Sequence, residues 1–146
     1  MKEQQVRSEV AGYDQFFDGL PAAIYTCDAQ GRITSYNEEA AQLWGRKPVL
    51  GKEQWCGSWK IFRLDGTRVE LDTCPMAIAV KEGRSVHGEE VVIERPDMQR
   101  RHVLPYPKPL FDSSGAISGA INMIVDITER RGRTIYYRIV KTGIVC

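Results

Sequence analysis

No stretch of this 146-residue sequence approaches the roughly 20 consecutive apolar residues that a membrane helix needs, and its first residues are polar rather than signal-like. The expectation is a cytoplasmic, soluble domain with no membrane partner. An excess of charge is missing as well. Twenty Lys and Arg against nineteen Asp and Glu leave a formal charge of +1, so no field favours nucleic acid. Arg100-Arg101 and Arg130-Arg131-Gly132-Arg133 are local basic spots that read as a solvated hairpin and a charged linker. The four cysteines, Cys27, Cys56, Cys74 and Cys146, show neither C-x-x-C spacing nor a histidine neighbour, which argues against a zinc site or a redox motif. Catalytic signatures are scarce too. Glu89 and Glu90 alternate across a strand and so cannot act as an acid/base pair, and no Ser/His/Asp or phosphate-loop pattern appears. There is no internal repeat. The length fits one domain with a real core and leaves no room for a separate catalytic unit.

What is present is a run of strongly patterned elements. Asp112-Ser113-Ser114-Gly115 has turn chemistry, and Ile117, Ile121, Met123, Val125 and Ile127 then follow at period two. The opposite parity, with Ala120, Asn122 and Ile124, is also uncharged, so this strand needs cover on both faces. Asp126-Ile127-Thr128-Glu129-Arg130-Arg131 ends it abruptly with charge. Near the other terminus, Leu20 to Asn37 reads as a hairpin turned by Asp28 and Gly31. Asn37 is placed to cap a helix over Glu38 to Trp44.

In this order, together with Pro109-Leu110-Phe111-Asp112, these segments resemble a PAS domain, the small sensory module that precedes many bacterial signalling outputs. The resemblance implies an α+β fold: a five-stranded antiparallel sheet of order 2-1-5-4-3 with helices on one face. It also implies transmission through Asp126, Ile127 and Thr128 to an output domain such as a histidine kinase or a diguanylate cyclase. A ligand-free dimerisation module with a filled core is the alternative.

Three parts are expected along the chain. Residues 1–20 form an amphipathic helix with Val6, Val10, Tyr13 and Phe17 on one face, 21–131 form the PAS domain, and 132–146 form a linker or tail. Val10 and Phe17 would dock on the outward face of the last strand, at Ile117, Ile121, Met123 and Val125, within one chain or across a homodimer. The tail is β-branched and aromatic, so it either pairs with a partner or carries no function. Residues 45–73 read as loops and short turns, with Trp59 to Arg63 extended. Asp72 to Gly83 has the grammar of a helix: a polar cap, Pro in the first turn, and a stopping Gly. Val86 to Glu94 and Arg101 to Tyr106 read as a hairpin. Pro105, Pro107 and Pro109 share one parity, so the returning strand lacks donors along one edge.

The family's strand orientation places Tyr25, Cys27, Val91, Ile93, Arg101, Val103, Asn122 and Ile124 inward, roofed by Trp44, Trp55, Trp59 and Met76. The set suits an apolar ligand with a few polar contacts, and it equally suits a filled core. Asn122 must find a ligand, a water or a backbone partner. The cofactor is unknown. Heme-binding members commonly use a His on the helix facing the sheet, and Cys74 to Gly83 has none. Light-sensing flavin members carry Asn-Cys-Arg, whereas Cys56 here lies in Gln54-Trp55-Cys56-Gly57, so both chemistries are disfavoured. His87 and His102 lie too far apart along their ladder to chelate one metal, leaving Cys56 and Cys74 as the remaining thiol ligands.

Overall fold

A computed structural model of the chain describes residues 22–87 and 89–129. The expected N-terminal helix, including Val10 and Phe17, and the tail 132–146 lie outside these described residues.

The first hairpin pairs β1 (Ala23–Asp28) with β2 (Ile33–Tyr36). Its turn is built by Asp28, whose Oδ1 accepts the backbone N–H groups of Gln30 and Arg32 at 2.9 Å each, and by Gly31 at φ +81°. Asn37 then caps α1 (Glu38–Trp44), its Oδ1 accepting from Ala40 N at 2.9 Å and from Ile24 N at 3.0 Å. One side chain therefore starts the helix and fastens it to β1. Ala40, Ala41, Leu43 and Trp44 are the buried face of this short helix. Such a helix is held by packing rather than propensity. Burying Trp44 completely contributes about 4–6 kcal/mol, taking ~25 cal/mol per Å² over ~150–250 Å².

The segment after α1 holds two short strands, β3 (Lys60–Phe62) and β4 (Arg68–Val69), then a 3-10 turn at Leu71–Thr73. Asp65 and Gly66 form the β3–β4 turn, with Gly66 at φ +89° and Asp65 Oδ1 accepting from Thr67 N at 2.9 Å. In α2 (Pro75–Glu82), Pro75 occupies the first turn and Gly83 closes the end in the left-handed region, as its sequence grammar predicts. The chain finishes with β5 (Val91–Glu94), β6 (Arg100–Phe111) and β7 (Ile117–Asp126).

All strand pairs are antiparallel, in the order β2-β1-β7-β6-β5-β3-β4. The expected five-strand order is present as β2-β1-β7-β6-β5, but the sheet has seven strands, because the Asp65-Gly66 turn folds β3 and β4 into a hairpin that adds to the free edge of β5. The hairpin partner of β6 is also shorter than its sequence implies. It starts at Val91 rather than Val86, and the prolines explain why. Odd-numbered residues of β6 point their backbone groups toward the β5 side, so Pro105, Pro107 and Pro109 offer acceptors there but no donors. Val86 N reaches Pro107 O at 3.2 Å, while the β5–β6 ladder stops at Val91 and Val103.

Candidate functional site

Both helices cover one face of the sheet, and their side chains meet those of β1, β5, β6 and β7 in one core. Tyr25, Cys27, Trp44, Met76, Val91, Ile93, Val103 and Ile124 all lie in it, with Asn122 buried beside them. Trp59 does not. It is 53% exposed, because Cys56 and Ser58 take the inward positions just before it and Gly57 packs flat against the Trp44 ring. Its indole stands instead in a surface groove beside Trp55, Arg68 and Glu70. Trp59 therefore leaves the expected roof, which consists of Trp44, Met76 and, at its rim, Trp55.

Tyr25 organises this interior. Its ring meets that of Trp44 edge-on at 5.1 Å, and its hydroxyl donates to the Trp55 carbonyl at 2.6 Å. Asn122 Oδ1 accepts from Tyr106 N at 3.0 Å, and its amide nitrogen lies 3.4 Å from the Tyr25 hydroxyl. The buried carboxamide thus finds its partners within the chain. Burial pushes the Tyr25 hydroxyl well above its ordinary pKa, the Cys56, Cys74 and Cys27 thiols add to that, and the Asn122 bond only partly opposes it. A neutral donor, not a base, occupies this position.

Burial likewise raises the three thiols, Cys27 to about 11 and Cys74 to about 12. Cys56 also rises, although Ser58 bonds oppose the shift. Protonated thiols are poor nucleophiles and poor metal ligands. Among the described residues no group of three His, Cys, Asp or Glu side chains could hold a metal ion. His102 pairs opposite Val92 in the ladder, as expected from its turn.

The access side of this core is closed by a strap that the sequence does not announce. Trp55 adopts φ +70°, a conformation rare for a bulky residue, so that its ring lies against Gly31 and its N–H donates to Gly31 O at 2.7 Å. Lys81 of α2 sits 5.0 Å above the same ring. No side chain at position 31 would leave room for that indole. The only sequence signal was the Trp itself, in a loop without periodicity.

At the far end of β7, Asp126, Ile127 and Thr128 are tied to β6. Asp126 Oδ1 accepts from the Thr128 hydroxyl at 2.6 Å and the Thr128 N–H at 3.0 Å, while its Oδ2 accepts from Arg101 Nε at 2.8 Å. Thr128 Oγ1 accepts from His102 N and Ile127 N donates to His102 O, both at 2.9 Å. Burial works to raise the Asp126 carboxyl, but the Thr128 and Arg101 bonds outweigh it and hold the group below its ordinary pKa. Arg101 keeps its inward parity and reaches the rim as an ion-pair partner, rather than lining the interior.

The outward face of the sheet carries Ile121 and Val125, half-buried, and Met123, 42% exposed. Ile117 does not join them. A register shift between Leu110 and Phe111 skips Ser118, and a slip of one residue turns a side chain to the other face. Ile117 packs against the core and approaches Gly83 at the end of α2. Among the described residues no helix is long and apolar enough to cross a membrane.

A sequence profile described as the PAS fold matches residues 17–132. No curated protein sequence matches the chain. Among solved structures, the PAS domain of Bordetella pertussis BvgS is 24% identical with a TM-score of 0.58, covering 92% of this chain and 98% of that one. A PAS domain from Colwellia psychrerythraea is 23% identical with a TM-score of 0.57, covering 82% of this chain and 98% of that one. The light-state dimer of the fungal blue-light photoreceptor Vivid is 20% identical with a TM-score of 0.53, covering 71% and 76%. These likenesses carry the fold. With a seven-stranded antiparallel sheet and two helices on its inner face among the described residues, and a profile spanning most of its length, the chain belongs to the PAS fold family of sensory domains.

Proposed function

We propose that this chain is a non-catalytic, cytoplasmic signal-transmitting domain whose regulated element is Asp126-Ile127-Thr128. The observation that carries the reading is the double tie of that motif to β6. One carboxylate braces the turn through Oδ1 and grips Arg101 through Oδ2, while His102 is bonded at both its backbone N–H and its carbonyl. A shift of β6 relative to β7 would thus reposition whatever follows Thr128. The output would be a domain such as a histidine kinase or a diguanylate cyclase. A homodimer or a docked N-terminal helix, through Val10 and Phe17, would cover Ile121, Met123 and Val125. The dimer in which Vivid was crystallised is a precedent within the fold.

The test is Asp126→Ala and Thr128→Ala in the protein joined to its output. Each removes local bonds at a strand end and should cost the domain about 1 kcal/mol while changing output. Unchanged output from both variants, or simple unfolding, would end the transmission reading. A second reading, an interaction module with a filled core, is favoured by the internal pairing of Tyr25, Asn122 and Trp55. Native mass spectrometry of freshly purified protein separates the two: a bound small molecule supports a ligand sensor, and a bare chain supports the filled core.

A further inference from the structure

Between α1 and the sheet end that carries the exit motif lies a cleft of about 230 Å³ outside the packed interior. Four charges converge on it: Glu39 from α1, Arg95 from the β5–β6 turn, Arg101 from β6 and Asp126 from β7. Only two of them meet. Arg101 is paired with Asp126, whereas Arg95 spends its bonds on neutral oxygens, donating to Leu43 O at 2.9 Å, Gln42 O at 3.0 Å and Gln99 Oε1 at 3.3 Å. No carboxylate among the described residues reaches ion-pair distance of Arg95. Glu39 has no bonding partner among them either. Among the described residues the cleft therefore holds a cation and an anion that lack ion-pair partners and do not reach each other. Ala23, Leu43 and Ile124 add an apolar wall.

We propose that this cleft binds a small zwitterion of the α-amino acid class. Its carboxylate would lie on the Arg95 and Arg101 guanidiniums, its ammonium on Glu39, and a short side chain against Ala23, Leu43 and Ile124. Guanidinium is the group suited to gripping a carboxylate with two parallel bonds. The volume suits roughly seven water-sized groups at ~30 Å³ each, the size of an amino acid with a small side chain. A bound carboxylate competes with Asp126 for Arg101, so occupancy loosens the brace that Asp126 gives to Thr128. That consequence for output rests on the transmission reading. The binding itself does not.

The experiment is a titration of the ¹⁵N-labelled 146-residue chain with L-alanine, L-serine and L-aspartate at pH 7, with acetate and ethylamine as half-ligands. Saturable shifts at the Ala23, Leu43 and Thr128 amides and at Arg101 Nε are expected, with acetate and ethylamine each about tenfold weaker or more. Glu39→Gln, a half-buried change on the helix surface, should weaken amino-acid binding about tenfold and leave acetate binding unchanged. No saturable shift with any of the three, shifts confined elsewhere, or equal binding of acetate would overturn the proposal. Binding without any response of a joined output domain would uphold the site and refute the transmission reading instead.

Discussion

Replacing Tyr25 by Phe removes one oxygen from the middle of the core and leaves the packing in place. The ring keeps its edge-on contact with Trp44 at 5.1 Å, so no cavity term enters. What is lost is the 2.6 Å bond to the Trp55 carbonyl and the acceptor for the Asn122 amide at 3.4 Å. A hydrogen bond contributes about 1 kcal/mol net, and a buried group left unpaired costs about 1–3 kcal/mol. Because Trp55 lies at the rim, water relieves part of its carbonyl's loss. The expected destabilisation is therefore about 2 kcal/mol, read as a lower urea midpoint with an unchanged slope. Asn122→Leu removes the carboxamide's contacts with Tyr106 N and the Tyr25 hydroxyl, while Tyr106 keeps its ladder place opposite Met123, and should cost about 1 kcal/mol. The double mutant should fall short of additivity by about 0.5–1 kcal/mol, since only the long 3.4 Å contact couples the two side chains. Loss of the carbonyl bond should also loosen the Trp55 strap, seen as faster amide exchange at Trp55, whose N–H is bonded to Gly31 O at 2.7 Å. A Tyr25→Phe variant within 0.5 kcal/mol of the parent would mean that other partners satisfy these groups, and the account of an internally closed core would fail.

Gly119→Ala should be far more damaging than its position in a strand implies. An added Cβ would run into the backbone carbonyl of Cys27 on β1, so the central β1–β7 ladder must open, at a cost of about 3 kcal/mol by urea unfolding. Gly66→Ala, where the space is open but φ is +89°, should cost only about 1 kcal/mol; equal costs would refute the steric argument. The carboxyl of Asp126 is held below its ordinary value, so it contributes stability above the unfolded pKa of about 4 and loses that contribution as pH falls through the folded pKa. Asp126→Asn should accordingly show a shallower loss of stability below about pH 4 than the parent, and identical acid slopes would remove Asp126 from the account.

Elements with local chemistry were legible in the sequence, and elements fixed by distant contacts were not. Asn37, Pro75 and Gly83 announce both helices, because caps and stops act within a few residues. The three prolines of β6 announce an edge without donors, yet their effect on β5 appears only when the two strands face each other, so the sequence pattern alone carries the strand back to Val86. The Asp65-Gly66 turn was a readable signal for a hairpin, but strands as short as β3 and β4 leave no period to accompany it. Within the candidate site, parity placed Tyr25, Asn122 and Ile124 inward and misplaced Ile117, since a single skipped residue at Ser118 reverses the face. Trp59 has the parity of Ile61 and lies outside, because strand alternation begins only at Lys60. Glu39 and Arg95 are 56 positions apart in sequence and share a cleft only through the packing of α1 beside the β5–β6 turn.

The two halves of β6 give the domain a mechanical asymmetry. At His102 and Val103 the strand is paired on both sides, with β5 and with β7 or the turn that follows it. From Leu104 to Phe111 it is laddered to β7 and receives on its other side the Val86 bond to Pro107. Even-numbered residues of β6 point toward β7, and at His102 that side is taken up by Thr128 and Ile127 in place of a strand partner. The exit turn is thus a continuation of the β6–β7 ladder made from side-chain and backbone bonds together. Ladder bonds lengthen little before they break, so a displacement of β6 against β7 cannot be absorbed at His102 and must either carry the turn along or release Thr128. Release is the cheaper outcome where Arg101 is drawn from Asp126, since that carboxylate holds the Thr128 hydroxyl in the orientation that accepts from His102 N. The Arg101–Asp126 pair is partly exposed, which leaves it open to competition from solution.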